Sequence, residues 1–389
     1  MAVDRRADAD GVPETIDARP PEKPRPPPDT PGAEGSLSRA DSREAASMAN
    51  ESAAGGTSGE DVAEGSVLGR LRNAVTRPDR RAEQVETPHI VEQPDAPTTV
   101  VRDKKETAVR YGTPLDHPDG TRTPLFSGEP TREQTKQGGL NDCGVISTLG
   151  AVAGCDPKAI KECVRETDNG NYEVRLYDAE YSETRMRYQP TGRRITLILT
   201  PDLPVLADAP RKPAFADPQD AGAAWAPVLE KAVAGLDQTW DRKHHEKWAE
   251  RCAAQGHCED PPNGYLRLDQ GSFPIDRAEL LTQLTGRPAK NEHFPSGYDV
   301  NGRGPDKQLL SDLRQQLADG KPVLVGTRKA GENEPPLIKD LKDAHAYEVV
   351  SIDDQDRVHL RNPWNELHPE PLTIGEFRAN IRPRYTTLE

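Results

Sequence analysis

The sequence predicts an α+β protein preceded by a long segment without fixed structure, and three observations carry that expectation. The run "CGVISTLGAVAG" from Cys143 to Gly154 is small and apolar over roughly three helical turns. Beyond residue 287 the pattern changes to short alternating runs, "AHAYEVVSIDD" and "RVHLRNPW", joined by an Asp-rich turn, which reads as antiparallel strands. Residues 1–124 are mostly Pro, Gly, Ala, Ser, Asp, Glu and Arg with scarcely an aromatic, too little apolar surface to offset chain entropy.

The elements follow in order. Within the N-terminal segment only "EGSVLGRLRNAVTR", Glu64 to Arg77, spaces its apolar residues like a short amphipathic helix, and Tyr111 to Gly128 reads as an extended lead-in held by prolines. Order is expected from Leu125. The apolar run then forms a helix with Asp142 at its start and Gly154 as its stop. "NYEVRLYD" and "RRITLILTPDLPVL" follow as strands. In "AAWAPVLEKAVAGLDQTW", Trp225, Val228, Leu229, Ala232, Val233 and Leu236 recur at the helical period. "DRKHHEKWAERCAAQGHCEDPP" reads as a charged helical insertion over residues 237–262, and "RAELLTQLTG" as a helix closed by Gly286. "DKQLLSDLRQQLADGKPVLVGT" is helix, turn and buried strand. The expected division is residues 1–124 disordered, 125–286 as a helical part carrying Cys143, and 287–389 as a β-rich part with an antiparallel sheet, with a cleft between the last two.

Composition restricts what such a chain can do. It has 389 residues, only 33% of them hydrophobic and 5% aromatic, with 37 prolines and 31 glycines, so the apolar residues must be concentrated in part of the length. A net charge of -14 with no basic stripe excludes non-specific binding to nucleic acid or anionic lipid. The N-terminus has no apolar signal region, and no run of about 18 apolar residues suggests a membrane span, so a cytoplasmic location is expected. Five cysteines, Cys143, Cys155, Cys163, Cys252 and Cys258, form neither an even set nor a paired metal framework, and point to reduced thiols. His244, His245, Cys252, His257 and Cys258 cluster in sequence, but their spacing matches no common zinc framework; no metal centre is expected there, and a Cys252–Cys258 disulfide would need an oxidising compartment.

The chemistry concentrates around Cys143. At a helix N-terminus the unsatisfied N–H groups and the macrodipole favour a thiolate. Gln137, six residues earlier, brings an amide that can donate to a developing oxyanion together with the Cys143 N–H, and Gly138 and Gly139 let the intervening backbone fold tightly. His345 opens the strand "HAYEVV" and Asn362 ends "RVHLRN", so neighbouring antiparallel strands bring them together, the amide fixing the tautomer of the imidazole.

"QGGLNDC", "HAYEVV" and "RNPWN" together resemble the three signature blocks of the calpain-type cysteine proteases, in the order Gln, Cys, His, Asn. The weaker stretches "GNYEVRLYD", "RRITLILTPDLPV", "VLEKAVAGL", "GYLRLDQG" and "LTIGEFRANI" fall in the same order, so the resemblance covers roughly Leu125 to Glu389. It implies a papain-like fold of two subdomains that hydrolyses protein or peptide substrates through an acyl-thioester. Cys143 would be the nucleophile, His345 the general base and acid, Asn362 the orienting residue and Gln137 the oxyanion-hole amide. Trp364 would shield the His–Asn pair, with Gly139 beside it in the substrate cleft. The resemblance also raises calcium as a cofactor, although no acidic loop positions of that kind can be matched. The chain departs from the pattern at Gly144, where the family has tryptophan, and at Asn141 and Asn365, where it has glycine. Two other readings stay open: a pseudo-protease or peptide-binding module that keeps the fold without activity, and the toxin domain of a delivered effector.

Overall fold

A computed structural model describes residues 87–102, 105–217, 222–254, 260–331 and 335–389. The amphipathic stretch at Glu64 to Arg77 lies outside them. The elements are β1 (His89–Val91), β2 (Thr99–Arg102), β3 (Lys105–Gly112), α1 (Cys143–Cys155), α2 (Pro157–Cys163), β4 (Val164–Glu166), β5 (Tyr172–Ser182), β6 (Arg187–Leu199), β7 (Leu203–Leu206) and β8 (Ala209–Pro213). They continue with α3 (Trp225–Gly235), α4 (Arg242–Ala254), α5 (Gly264–Leu268), α6 (Pro274–Thr285), β9 (Ala289–His293), α7 (Pro305–Ala318), β10 (Val323–Gly326), β11 (Ala346–Ile352), β12 (Val358–Arg361), α8 (Ile374–Asn380) and β13 (Arg384–Leu388).

The fold is α+β, as the sequence predicts. One antiparallel sheet runs β12-β11-β10-β13-β9-β6-β5-β4, with β1 added in parallel to β6. A second sheet runs β2-β3-β7-β8. The part carrying Cys143 is therefore built on strands as much as on helices. Two apolar clusters form. One gathers α1, α3, α6 and the inner faces of β5 and β6; the other lies between α7, α8 and β10–β13 and includes Leu309, Leu313, Tyr347, Leu360 and Phe377. The β9–β13 pairing carries the long sheet across from one cluster to the other.

Local sequence explains the helices that position the site. Residues 144–153 of α1 are all buried, so the helix is wedged among neighbours on every side, and its small residues allow the close approach. Gly154 does not end it: α1 runs to Cys155 and stops where Asp156 caps α2, accepting from Ala159 N at 3.2 Å, with Pro157 at its first position. The α6 helix begins at Pro274, with Asp276 accepting from Phe273 N at 2.8 Å, and ends as expected at Gly286, whose φ of 66° suits glycine. In α8, Thr373 and Glu376 close a capping box.

Two expectations are corrected. The described structure reaches back to Thr87, well before the expected start at Leu125: Val91, Val100 and Leu115 are buried, and β3 pairs with β7. These strands are short and broken by prolines, so their apolar residues do not stand out until β6 and β7 supply partners. Cys252, on the buried face of α4, is disulfide-bonded rather than a reduced thiol. The histidines beside it do other work: His244 pairs with Asp241 at 2.8 Å, and both His244 and His245 lie against Trp240. His257 and Cys258 lie outside the described residues. No helix among the described residues is long and apolar enough to cross a membrane.

Candidate active site

The turn before α1 is held by close backbone approach. A Cβ on Gly138 would come within 1.8 Å of Phe215 O, and one on Gly139 within 3.0 Å of Val100. Gly139 N donates to Ala214 O at 2.9 Å, and Gln137 N donates to Pro363 O at 2.9 Å, tying the turn to the residue after Asn362. Asn141 secures the far end, donating from its backbone and side-chain nitrogens to Asp269 Oδ1, each at 3.0 Å. The Gln137 amide closes its own turn, Nε2 donating to Leu140 O at 2.7 Å, while Oε1 is buried with no partner among the described residues.

On the other side, Thr327 Oγ1 accepts from His345 N at 2.8 Å and fixes the start of β11. His345 Nε2 lies 3.0 Å from Asn362 Oδ1. The orientation of that amide is set by its surroundings, since Trp364 N donates to the same oxygen at 3.2 Å and Nδ2 donates to Leu367 O at 3.3 Å. Oδ1 is therefore the acceptor, Nε2 carries the hydrogen, and Nδ1 is left with a lone pair. Trp364 packs against the imidazole with ring centres 5.1 Å apart, and Tyr347 meets it edge-on at 5.0 Å.

The two sides meet at the sulfur. Cys143 Sγ accepts from Ala346 N, the residue after His345, at 3.4 Å. Gln137, Gly139, Cys143, His345 and Trp364 line one cleft of about 890 Å³; Asn362 lies fully buried behind it. Gln137, Gly139, Cys143, His345, Asn362 and Trp364 are thus brought to one place. A network outside the cleft fastens the sides: Arg132 pairs with Glu348 at 2.9 Å, and Arg361 donates to Thr135 O at 2.9 Å and to Asn365 Oδ1 at 3.0 Å.

The electrostatics differ from the sequence expectation at the cysteine. Burial pushes the Cys143 thiol up, against the Ala346 N–H and the Arg277 guanidinium, which act the other way. The helix terminus does not by itself leave an ionised sulfur. Burial pushes His345 down, with Lys342 adding to the effect and the Asn362 bond opposing it. Behind Cys143, Asp142 and Glu230 are both fully buried and within hydrogen-bonding reach of each other. Burial, reinforced for Glu230 by its neighbour's charge, drives both carboxyl groups toward the neutral form. Sequence reasoning missed this pair, whose members are 88 positions apart, and it missed Ser272 and Arg277. Only Arg277 left a signal, a charge in phase with the apolar Leu281 and Leu284 of α6.

Two departures from the resembled pattern have a structural reason. A Cβ on Gly144 would sit 1.6 Å from Ser272 Oγ, so the serine fills the space a side chain there would need. Asn365 has φ 59°, a left-handed conformation that asparagine tolerates, and its Nδ2 donates to Glu133 O at 2.8 Å. The described residues contain no group of three or more His, Cys, Asp or Glu side chains placed to hold a metal ion.

No protein-family model matches the chain. The chain is 23% identical, over 256 residues, to the calpain-type cysteine protease DEK1 of Zea mays. The match covers 62% of this chain but only 9% of that protein, so the similarity is distant and concerns a small part of the relative.

Proposed function

We propose that this chain is a calpain-like cysteine endopeptidase with a papain-like arrangement of two subdomains, one around each apolar cluster. The observation that carries the reading is the join at the cleft: an imidazole fixed by Asn362 at 3.0 Å, with the next residue's N–H on Cys143 Sγ. In this reading the Cys143 proton passes to His345 Nδ1 and the sulfur attacks the peptide carbonyl. The tetrahedral oxyanion is met by the Cys143 N–H and the Gln137 amide, which must turn from Leu140 to reach it. His345 returns its proton to the leaving amine, and an acyl-thioester remains on Cys143. Water, deprotonated by His345, then attacks the thioester and releases the acid product and the thiol. Trp364 covers the His345–Asn362 bond and keeps competing water from it.

Incubating the purified chain with a denatured protein and mapping new N-termini tests the reading. Cleavage that disappears in Cys143→Ala is expected; a folded wild-type chain that generates no new termini contradicts it. One observation favours a second reading, a peptide-binding module: the sulfur is already engaged by Ala346 N, and burial holds it as the thiol. Retention of peptides in the cleft by wild type and Cys143→Ala alike, without turnover, would decide for that reading.

A further inference from the structure

Arg277 has no role in the steps above, yet it is the most unusual charge near the cleft. It lies in α6 in phase with core leucines and is 5% exposed. Its Nε has no hydrogen-bond partner among the described residues, and Nη1 reaches only Val325 O, at 3.5 Å. The adjacent carboxylate, Asp276, is taken by Arg251 and by the Phe273 N–H. A buried guanidinium without an anion is costly, so its position calls for a reason.

Its surroundings locate that reason. Arg277 Cδ lies 3.5 Å from where a Cβ on Gly144 would be, beside Cys143, and its Nη atoms lie 3.6 and 3.7 Å from the same point on Gly326. Gly326 pairs in register with Ala346, whose N–H is on Cys143 Sγ. The Arg277 side chain therefore runs from the first turn of α1 to Gly326, the strand partner of Ala346, and it lines the cleft with Cys143.

We propose that Arg277 is the fixed counter-ion of the Cys143 thiolate, a positioning residue that acts through the sulfur. The proposal rests on the reading of Cys143 as the nucleophile. Lys329, Lys342 and Arg382 also line the cleft, but Arg277 is the cation whose charge bears on the sulfur. Asp142, just before Cys143, and Glu230 on α3 are held toward neutrality. His345 is pushed toward its neutral form by burial, and Lys342 disfavours its protonation further. Glu348 on β11 is paired with Arg132, and Tyr347 is pushed up to about 12. Arg277 is itself pushed down to about 10 by burial, with Cys143 the first of the charges that oppose this. It thus keeps its charge at neutral pH.

The test is the pH dependence of alkylation at Cys143 in the full chain, followed by peptide mass so that Cys155 and Cys163 are counted separately. In Arg277→Met and Arg277→Gln the apparent pKa of Cys143 should rise by about one unit or more, about tenfold slower alkylation at neutral pH, while Arg277→Lys stays near wild type. Unchanged profiles in folded neutral variants overturn the proposal. A wild-type measurement covers the case in which those variants do not fold. Near pH ~8.5, where a depressed His345 is uncharged, the rate ratio of anionic iodoacetate to neutral iodoacetamide at Cys143 should exceed that of free glutathione several-fold. A ratio equal to that of glutathione overturns the proposal. Both readouts are independent of proteolysis, so absent substrate cleavage with a shifted thiol profile refutes the protease reading and not the counter-ion.

Discussion

His345 depends on Asn362 for its tautomer and on Trp364 and Tyr347 for its plane, so small changes there should separate chemistry from folding. Asn362→Ala removes the acceptor that fixes the hydrogen on Nε2, and turnover should fall by roughly 10²–10⁴-fold while the far-ultraviolet dichroism is unchanged. Equal turnover would contradict the orienting role. Gly144 offers a second test at this scale. Gly144→Ala places a methyl against Ser272 and should cost about 1–3 kcal/mol in thermal or denaturant unfolding. Ser272→Gly removes the obstructing atoms, so the double variant should recover most of the loss, and additive costs would show that the two residues do not compete for one space. Among residues, the meeting of Cys143, His345 and Asn362 around one cleft was legible in the sequence because each stands at the end of a recognisable run: Cys143 before apolar small residues, His345 and Asn362 at opposite ends of two alternating strands. Arg277, Ser272 and the Asp142–Glu230 pair were not, because their meaning lies in a neighbour distant in sequence.

At the scale of elements, α1 and α3 are joined by that carboxyl pair, and this makes the seat of the nucleophile sensitive to pH. Both groups titrate higher in the folded chain than in the unfolded one, Asp142 above its ordinary 3.8 and Glu230 above 4.5. Their contribution is therefore fully present below those unfolded values and is lost as pH rises through the folded ones. Glu230→Gln keeps the shape and removes one of the charges. It should match wild type near pH ~4 and be more stable by about 1 kcal/mol or more near pH ~8, read as chemical unfolding at each pH. Parallel stability curves would contradict the pairing. The strands of residues 87–112 give a second element-scale test. Val91, fully buried, packs within 2.6 Å of where a Cβ on Gly235 would be, so Val91→Ala should destabilise the chain by about 1–3 kcal/mol, and no change in melting would remove β1 from the folded unit. This region escaped sequence reading for a physical reason: β1 adds three residues to the edge of β6, and its stability is borrowed from a sheet whose other strands begin only at Val164.

At the scale of the molecule, the site exists because a single long sheet passes through two apolar clusters and leaves the cleft where α1 meets β10 and β11. The Arg132–Glu348 and Arg361–Thr135 contacts hold the turn before α1 to the strands bearing His345 and Asn362. The α+β class was legible from the change of period along the chain, whereas the continuity of the sheet was not, since pairing between β9 and β13 joins segments that no local pattern relates. The central claim is that the sulfur of Cys143 and the ring of His345 act as one unit across the cleft. It is tested most directly by treating the full chain with a peptide bearing a thiol-reactive group and measuring the adduct by mass. Rapid modification of Cys143 in wild type, with about 10²-fold or greater loss of rate in His345→Ala, is the expected result. Modification at the same rate in both proteins would contradict it.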